Sequence, residues 1–286
     1  MHDKQASFAG ITLHIDPVSK KRREGSDNVM AIFWEEQPMW WYFIKDIVKN
    51  TIQKVKAPVD FLDVGTGGGV MAILAKKHAG AKIILAIDKS LRAVKESQKN
   101  AKRNKTPFKT KLEFYNTNTA PYKSVKVISI NAPYHLYPKE MEMDIPQHAR
   151  GGIDGQQVFK EQLAIANYHL ADHGIIVFNQ MCLGRMGRPE FIKYIPELIE
   201  GASLVYTNIF PPIKSKVFFR KVYGNTFTSY QNEMSKKYPE LYYCNGVITR
   251  NGKGSVKRVV HRLDLKGRSW EDRFELHRQI SKHGVR

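Results

Sequence analysis

The segment Pro58–Val70, P-V-D-F-L-D-V-G-T-G-G-G-V, constrains the fold of this chain more than any other stretch. Its first half is rich in β-forming apolar residues and is typical of a short buried strand. Gly65, Gly67 and Gly69 then interrupt the strand, and the following Val70–Lys77 has the composition of a helix. A strand that ends in such a turn brings backbone N–H groups close to a ligand above the sheet edge. The segment therefore predicts a nucleotide-like binding site in an α/β fold.

A second strand with an acid at its tip supports this interpretation. Ala81–Asp88 predicts another buried strand, and Asp88 follows Gly65 by 23 positions. An acid about 20 residues beyond a glycine-rich turn is placed to accept hydrogen bonds from the two hydroxyls of a ribose. Asp88 could instead cap the helix predicted at Leu91–Asn104, and both interpretations remain open.

The glycine spacing selects the kind of nucleotide. A dinucleotide fingerprint has glycines at relative positions one, three and six, whereas here Val70 occupies the sixth position. The pattern Asp63-x-Gly65-x-Gly67-x-Gly69 instead resembles the first motif of class I S-adenosylmethionine-dependent methyltransferases. The resemblance implies a doubly wound, mostly parallel, Rossmann-like sheet of seven strands with helices on both faces. It also implies S-adenosyl-L-methionine as cofactor and S-adenosyl-L-homocysteine as product.

The same resemblance assigns roles around the cofactor. Asp63 is expected at its ammonium end and Asp88 at its ribose. The loop after a third strand, Lys111–Tyr115, is expected to reach the adenine amine through Asn116, with Asn118 as the alternative. The full set of predicted cofactor-binding residues is Asp63, Gly65, Thr66, Gly67, Gly69, Asp88, Lys89, Asn116, Thr117 and Asn131.

The predicted chemistry lies after a fourth strand, Val125–Ile130, in the sequence Asn131-Ala132-Pro133-Tyr134. This tetrapeptide resembles the N-P-P-Y motif of methyltransferases that modify a planar NH2 group. The side-chain oxygen of Asn131 and the carbonyl of Ala132 can each accept one N–H of such a substrate. Pro133 restricts the backbone of the preceding residue, and Tyr134 offers an aromatic face. Positioning then supplies most of the catalysis.

Beyond the tetrapeptide the chain resembles the HemK/PrmC family of protein-(glutamine-N5) methyltransferases. In that family a G-G-x-D-G loop, a helix and a strand follow, and here Gly151–Gly155 precedes a helix at Gln156–Leu170 and a strand at Ile175–Asn179. The hairpin sequence Phe8–Leu13 also resembles that family. Ala132 replaces the first proline of the motif. The first predicted substrate is therefore a protein that presents a glutamine.

Charge and composition suggest other partners. The chain has 46 Lys and Arg against 27 Asp and Glu, a formal net charge of +19, of which +11 falls on Pro212–Arg286. Such an excess favours an anionic partner, and RNA or the ribosome is the alternative to a protein substrate. Cys182 and Cys244 have no metal-type spacing, so no metal is expected. Because no apolar run approaches the roughly 18 residues that a membrane helix needs, no membrane contact is expected and the predicted location is cytoplasmic.

Three regions are expected along the chain: a hairpin and aromatic helix over 1–55 that acts as a substrate lid or cap, a cofactor-binding core over 56–211, and the last strands with a basic extension over 212–286. In the first region the basic run Lys20–Arg23 is either a solvated loop, a phosphate contact or a targeting patch, and Trp34, Trp40 and Trp41 lie where a lid could form. The helix there is expected to pack through one face, formed by Met39, Tyr42, Phe43, Ile47 and Val48.

The basic extension has two interpretations, a solvated cap on the sheet or a surface for single-stranded nucleic acid. The second depends on tyrosines interleaved with its basic residues, namely Tyr223, Tyr230, Tyr238, Tyr242 and Tyr243. His135 also makes the motif similar to the N-P-P-F-H of ribosomal RNA guanine-N2 methyltransferases. Three functions follow: methylation of a protein glutamine, methylation of an exocyclic amine of RNA or DNA, and cofactor binding without turnover.

Overall fold

A computed structural model describes residues 4–16, 37–113, 118–145, 147–209 and 211–258. Several sequence predictions lie outside these residues: the basic run Lys20–Arg23, the possible lid residue Trp34, the end of the third strand, Asn116, Thr117, and the chain after Arg258.

The described elements alternate between strands and helices through most of the chain. A hairpin of β1 (Lys4–Phe8) and β2 (Ile11–Ile15) comes first. It is followed by α1 (Gln37–Lys54), β3 (Val59–Val64), α2 (Val70–His78), β4 (Ile84–Asp88), α3 (Leu91–Arg103), β5 (Lys109–Leu112) and β6 (Val125–Ile130). Then come 3-10 turns at Lys139–Asp144 and Gln147–Ala149, α4 (Gln157–His169), β7 (Leu170–Arg185), β8 (Arg188–Pro189), α5 (Phe191–Leu198), β9 (Ser203–Asn208), β10 (Ile213–Lys214), α6 (Ser215–Tyr223), α7 (Thr228–Lys237), β11 (Glu240–Thr249) and β12 (Val256–Arg258).

One mixed sheet organises the molecule, with strand order β12-β9-β11-β7-β6-β3-β4-β5 and two short strands, β8 and β10, paired to β7 and β11. Strands β5, β4, β3, β6 and β7 are parallel, whereas β11 runs antiparallel to both of its neighbours. The prediction of a doubly wound, mostly parallel α/β fold is confirmed. Seven strands of the described sheet have four or more residues, as expected, and β8, β10 and β12 are additional strands of two or three residues, too short to show a strand pattern.

Two apolar cores flank the sheet. One lies beneath α4 and α5, and the other lies beneath α1, α2, α3 and the β1–β2 hairpin. Strand β3 is buried along its whole length, as expected for a central parallel strand covered on both faces. Among the described residues, helices on both faces leave the ends of the strands open to a ligand.

The expected packing face of α1 is partly wrong. Tyr42 and Ile47 are exposed, whereas Trp40, Trp41 and Ile44 are buried in the core with Val48. The bulky indoles occupy the space between α1, α2 and the hairpin. Trp40 and Trp41 therefore serve packing rather than a lid.

The chain reverses its direction of winding beside β3. It passes outward from β3 to β4 and β5 and then returns to place β6 on the other side of β3. In open α/β sheets such a switch point creates a crevice outside the carboxyl ends of the strands, where ligands bind.

The strand bounds differ from those predicted. Strand β4 begins at Ile84 rather than Ala81, β5 begins two residues earlier than expected, and β7 extends beyond its predicted bounds in both directions.

Three further findings concern membranes, thiols and metal ions. Within the described ranges no helix combines the length and apolar character needed to cross a membrane. Cys182 and Cys244 are buried free thiols, and burial raises the pKa of Cys182 to about 12. Among the described residues no cluster of His, Cys, Asp or Glu could hold a metal ion.

Candidate functional site

The loop after β3 follows the backbone that its glycines allow. Gly65, Gly67 and Gly69 have φ values of 70°, 51° and 82°, in the left-handed region that favours glycine. A Cβ on Gly67 would meet no atom within 4 Å, whereas one on Gly69 would lie 3.0 Å from Ser97 Cβ. Gly67 therefore faces open space above the sheet edge, and Gly69 permits close packing against α3.

Asp63 lies beneath this loop and holds it together. Its carboxylate accepts hydrogen bonds from the hydroxyls of Thr66 (2.7 Å) and Ser129 (2.5 Å), and it is almost completely buried. Burial raises the pKa of Asp63, and the hydrogen bonds from Ser129, Thr66 and the backbone N–H of Ala72 offset this only in part. Both carboxylate oxygens are thus engaged by protein groups, and Thr66 directs its hydroxyl inward. The hydrogen bond between the Thr66 hydroxyl and the Asp63 carboxylate therefore stabilises the glycine loop on its buried side.

Asp88 is the last residue of β4, as the sequence pattern predicted. One carboxylate oxygen accepts the N–H of Gly67 (2.9 Å), and the other accepts the N–H of Ser90 (2.9 Å). Ser90 is the N-cap of α3, so Asp88 supports the start of that helix while it also fixes the glycine loop. Each carboxylate oxygen can accept more than one hydrogen bond, so the ribose role remains compatible with these contacts. The adjacent Lys89 is half-buried.

Asn100 is part of the site but was not predicted from the sequence. This buried residue of α3 donates to the carbonyl of Gly68 (3.0 Å) and to the carbonyl of His14 (3.1 Å), and its side-chain oxygen accepts the N–H of His14 (2.7 Å). It ties the glycine loop to the β1–β2 hairpin. No local pattern marks it, because its partners lie 32 and 86 residues away in the chain.

The tetrapeptide Asn131–Tyr134 begins directly after β6, next to the glycine loop of β3. Ala132 is buried, whereas Asn131, Pro133 and Tyr134 are half-buried. The carboxyl ends of β3, β4 and β6 meet at one sheet edge. Asn131 and Asp88 therefore lie on opposite sides of the same loop.

A second glycine loop, Gly151–Gly155, packs against this tetrapeptide. A Cβ on Gly151 would lie 2.7 Å from the carbonyl carbon of Tyr134, and one on Gly155 would lie 2.7 Å from the carbonyl oxygen of Tyr134. The backbone of His135 forms a parallel bridge with Arg150, and its carbonyl accepts the N–H of Gly151 (3.0 Å). The glycines allow two backbone segments to touch, so the second loop sets the position of the first.

The helical pair α6–α7 forms the outer support of both loops. The hydroxyl of Tyr223 donates to the carbonyl of Leu136, and the hydroxyl of Tyr230 donates to the carbonyl of Ile153 (2.8 Å). These residues share an apolar cluster with Tyr243, whose ring lies edge-on to that of Tyr134 with 5.8 Å between centroids. The segment between β10 and β11 is therefore joined to the predicted acceptor site.

This arrangement corrects part of the prediction for the basic extension. Tyr223, Tyr242 and Tyr243 are buried, so they cannot serve as a stacking platform for bases. The expected strands of this region are present, and β11 lies inside the sheet between β7 and β9. Asn118, the alternative to Asn116, is exposed.

Comparisons with known proteins match the part of the chain that carries the first loop. The family model "Ribosomal protein L11 methyltransferase (PrmA)" matches residues 47–132. A ribosomal protein L11 methyltransferase of Dictyoglomus thermophilum is 44% identical over 64 residues, 22% of this chain and 20% of that protein. The protein of the same name from Aquifex aeolicus is 29% identical over 107 residues, 37% of this chain and 42% of that protein.

A solved structure, ribosomal protein L11 methylase from Lactobacillus delbrueckii subsp. bulgaricus, is 16% identical and covers 72% of this chain and 76% of its own, with a TM-score of 0.41. The chain spans less than half the length of either curated relative described above. These matches do not support the specific resemblance to the HemK/PrmC family. They fall instead on proteins named as ribosomal protein L11 methyltransferases.

The matched segment contains the glycine loop, Asp88 and Asn131, and the match supports the predicted cofactor, S-adenosylmethionine. The loop fits this cofactor, because its backbone faces open space at Gly67 and the carboxylate of Asp88 stands beside it. Within these residues the chain is similar to ribosomal protein L11 methyltransferases, in line with the expected resemblance to class I S-adenosylmethionine-dependent methyltransferases.

Proposed function

We propose that this chain is an S-adenosylmethionine-dependent N-methyltransferase that acts on a planar amide or amine nitrogen. The observation that carries the proposal is the position of the Asn131–Tyr134 loop beside the Gly65–Gly69 loop, at the switch point of the sheet. Donor and acceptor would then meet across neighbouring strands.

In this proposal the cofactor supplies a methyl group activated by a sulfonium. The backbone of Gly65, Gly67 and Gly69 holds its amino-acid end over the sheet edge, with Asp63, Thr66 and Lys89 nearby. Asp88 accepts the ribose hydroxyls, while Asn116 and Thr117 contact the adenine.

The acceptor nitrogen is held by its two N–H groups. One N–H donates to the side-chain oxygen of Asn131 and the other to the backbone carbonyl of Ala132, which directs the lone pair toward the methyl group. Pro133 stiffens the turn, and the ring of Tyr134 packs against the planar acceptor. Because both reactants are oriented in advance, no strong base is required before transfer.

The first candidate acceptor is a glutamine side chain in a protein, at its N5 atom. A protein acceptor agrees with the relatives, which are named as methyltransferases of a ribosomal protein. The second candidate is an exocyclic amine of RNA or DNA, which the net charge of +19 favours.

The two acceptors separate in one labelling experiment. The full chain is incubated with methyl-labelled S-adenosylmethionine and cell extract, and the products are digested with protease or nuclease. Label released by protease and recovered as N5-methylglutamine supports the first candidate. Label that resists protease but is released by nuclease would exclude it.

The role of Asn131 is tested by Asn131→Ala. We expect transfer to fall by about 100-fold or more, because the acceptor loses one of the contacts that aim its nitrogen, and this loss should exceed any loss of cofactor affinity measured by calorimetry. Asn50→Ala, at an exposed position of α1, is the matched control and should retain transfer. Full activity in Asn131→Ala would refute the assignment.

A further inference from the structure

The outer face of α6 carries positive charge that the proposed site does not use. Between residues 214 and 237 the chain has six Lys or Arg and one Glu. Lys214, Lys216 and Arg220 are exposed, and none of these three pairs with an acid among the described residues. A cluster of one sign attracts an anionic partner.

The arrangement of these charges suits a linear anion. Lys216 and Arg220 are four residues apart on α6, so they point to the same side of the helix. Lys221 is also exposed and follows directly. Exposed Val217 and Val222 lie between and beside these charges. The surface therefore alternates cationic and apolar contacts.

An aromatic side chain is presented at the end of this surface. Phe227, in the turn from α6 to α7, is 37% exposed and has φ of 53°. A bulky residue rarely adopts the left-handed backbone conformation, because this conformation costs folding free energy. Residues with such strain cluster at functional sites. Its ring lies edge to face with that of Tyr223, with 6.1 Å between centroids, and part of the side chain is exposed. Exposed aromatic rings beside a basic groove are used to stack nucleobases.

We infer that the outer face of α6 and the ring of Phe227 bind a single-stranded nucleic acid. Phosphates lie on Lys216 and Arg220, and a base stacks on Phe227. An acidic peptide would use the same charges but has no need of the exposed ring. Since Tyr223 and Tyr230 join α6–α7 to the acceptor loops, the bound strand would lie beside the proposed site. The inference does not depend on methyl transfer, because binding is measured without cofactor.

Fluorescence anisotropy of the full chain tests this surface. The probes are a labelled 20-nucleotide oligo(U) RNA, a labelled single-stranded DNA of the same length, and a labelled 20-residue poly-glutamate. Each probe is titrated at several salt concentrations. We expect RNA or DNA to bind more tightly than poly-glutamate, and comparison of the two oligonucleotides identifies the preferred sugar. Lys216→Gln/Arg220→Gln should weaken binding about 10-fold and reduce the salt slope by about 1.4, at roughly 0.7 per phosphate contact.

The ring is tested by Phe227→Asn, which tolerates left-handed backbone and should therefore fold. We expect a loss of affinity on the order of 10-fold with an unchanged salt slope. The matched control is Lys99→Gln/Arg103→Gln on α3, an exposed pair with the same spacing and charge at the other end of the sheet. Equal losses in both double variants would overturn the inference, as would poly-glutamate binding as tightly as RNA or an absence of binding at 50 mM salt.

Discussion

The two loops of the candidate site are built in different ways. The proposed donor loop, Gly65–Gly69, arises from one continuous stretch in which a strand, a turn and a helix follow one another. The loop at the acceptor side, Asn131–Tyr134, takes its position from Gly151–Gly155 and from α6–α7, which lie about 20 and about 90 residues further along the chain. A continuous motif is visible in the sequence, whereas an assembled one is visible only after folding.

The difference also has a physical consequence. The donor loop holds its shape mainly through its own backbone conformation and the carboxylates of Asp63 and Asp88. The acceptor loop depends on backbone packing and on hydroxyls from a distant helical pair. Substitutions in the supporting segments should therefore impair acceptor use while they leave cofactor affinity unchanged.

The largest effect is expected at Gly151. In Gly151→Ala the new Cβ would lie 2.7 Å from the carbonyl carbon of Tyr134, so the tetrapeptide must shift. A displacement of about 1 Å at reacting groups can cost about 100-fold in rate. Transfer of labelled methyl groups to cell extract should fall about 100-fold. Cofactor affinity measured by calorimetry should stay within about twofold of that of the wild type. A loss of cofactor affinity equal to the loss of transfer would show that the two loops are not separable.

The donor side is tested by comparing two glycines with the same backbone strain. Gly67 and Gly80 have φ values of 51° and 75°, and a Cβ on either would meet no protein atom within 4 Å. Alanine at each position should therefore cost about 1–2 kcal/mol of unfolding free energy. Only Gly67→Ala should also weaken cofactor binding, by about 10-fold, because its methyl enters the space above the loop. Equal cofactor affinity in the two variants would place the cofactor elsewhere.

Smaller effects are expected from the tyrosines that hold the acceptor loops. Tyr223→Phe and Tyr230→Phe each remove a hydroxyl and leave a backbone carbonyl without that donor, a loss of about 1 kcal/mol. We expect the acceptor KM to rise a few-fold, with the cofactor Kd unchanged. Tyr242→Phe is the control, because its hydroxyl donates to Glu240 (2.7 Å) rather than to either loop. A control with the same change in KM would point to a general loss of stability.

The smallest effect on transfer is expected at the other end of β3, where Asp60 accepts a hydrogen bond from Lys126 (2.7 Å). Burial raises the pKa of Asp60, but the hydrogen bonds from Lys126 and the backbone of Ile83 and Lys82 outweigh it, so the pKa lies below 3.8. A lowered folded-state pKa contributes stability that is present above pH 3.8 and is lost as the pH falls through the folded value.

Asp60→Asn should therefore lower the unfolding free energy by about 1.5–3 kcal/mol at pH 7. In urea unfolding the difference from wild type should shrink below pH 3.8. Transfer at neutral pH should remain close to that of the wild type. A difference that is constant from pH 7 to pH 3 would show that the charge of Asp60 does not stabilise the fold.

Much of the fold followed from local patterns. The apolar runs of β3 and β6 were predictable, because a buried parallel strand must be largely apolar on both faces. The glycine-rich turn likewise predicted α2 directly after β3 and the acid at Asp88. The strands β8, β10 and β12 were not, since pairs and triplets of residues show no periodicity. The buried face of α1 was also predicted incorrectly, because the hairpin and α2 determine which indoles are covered.

The sequence by itself predicted the Gly65–Gly69 loop, which we propose as the donor side, since the strand, the turn and the helix there follow one another in the chain. Only the tertiary structure revealed the hydrogen bond from Asn100 to Gly68 and the packing of the second glycine loop against Tyr134. It also revealed the hydrogen bonds from Tyr223 and Tyr230 to the loops of the candidate site. Those contacts join residues that are far apart in the chain, and sequence patterns report only on near neighbours. For the same reason only the structure shows that, within the described residues 211–258, β11 pairs with both β7 and β9 and that α6–α7 contact the loops of the candidate site.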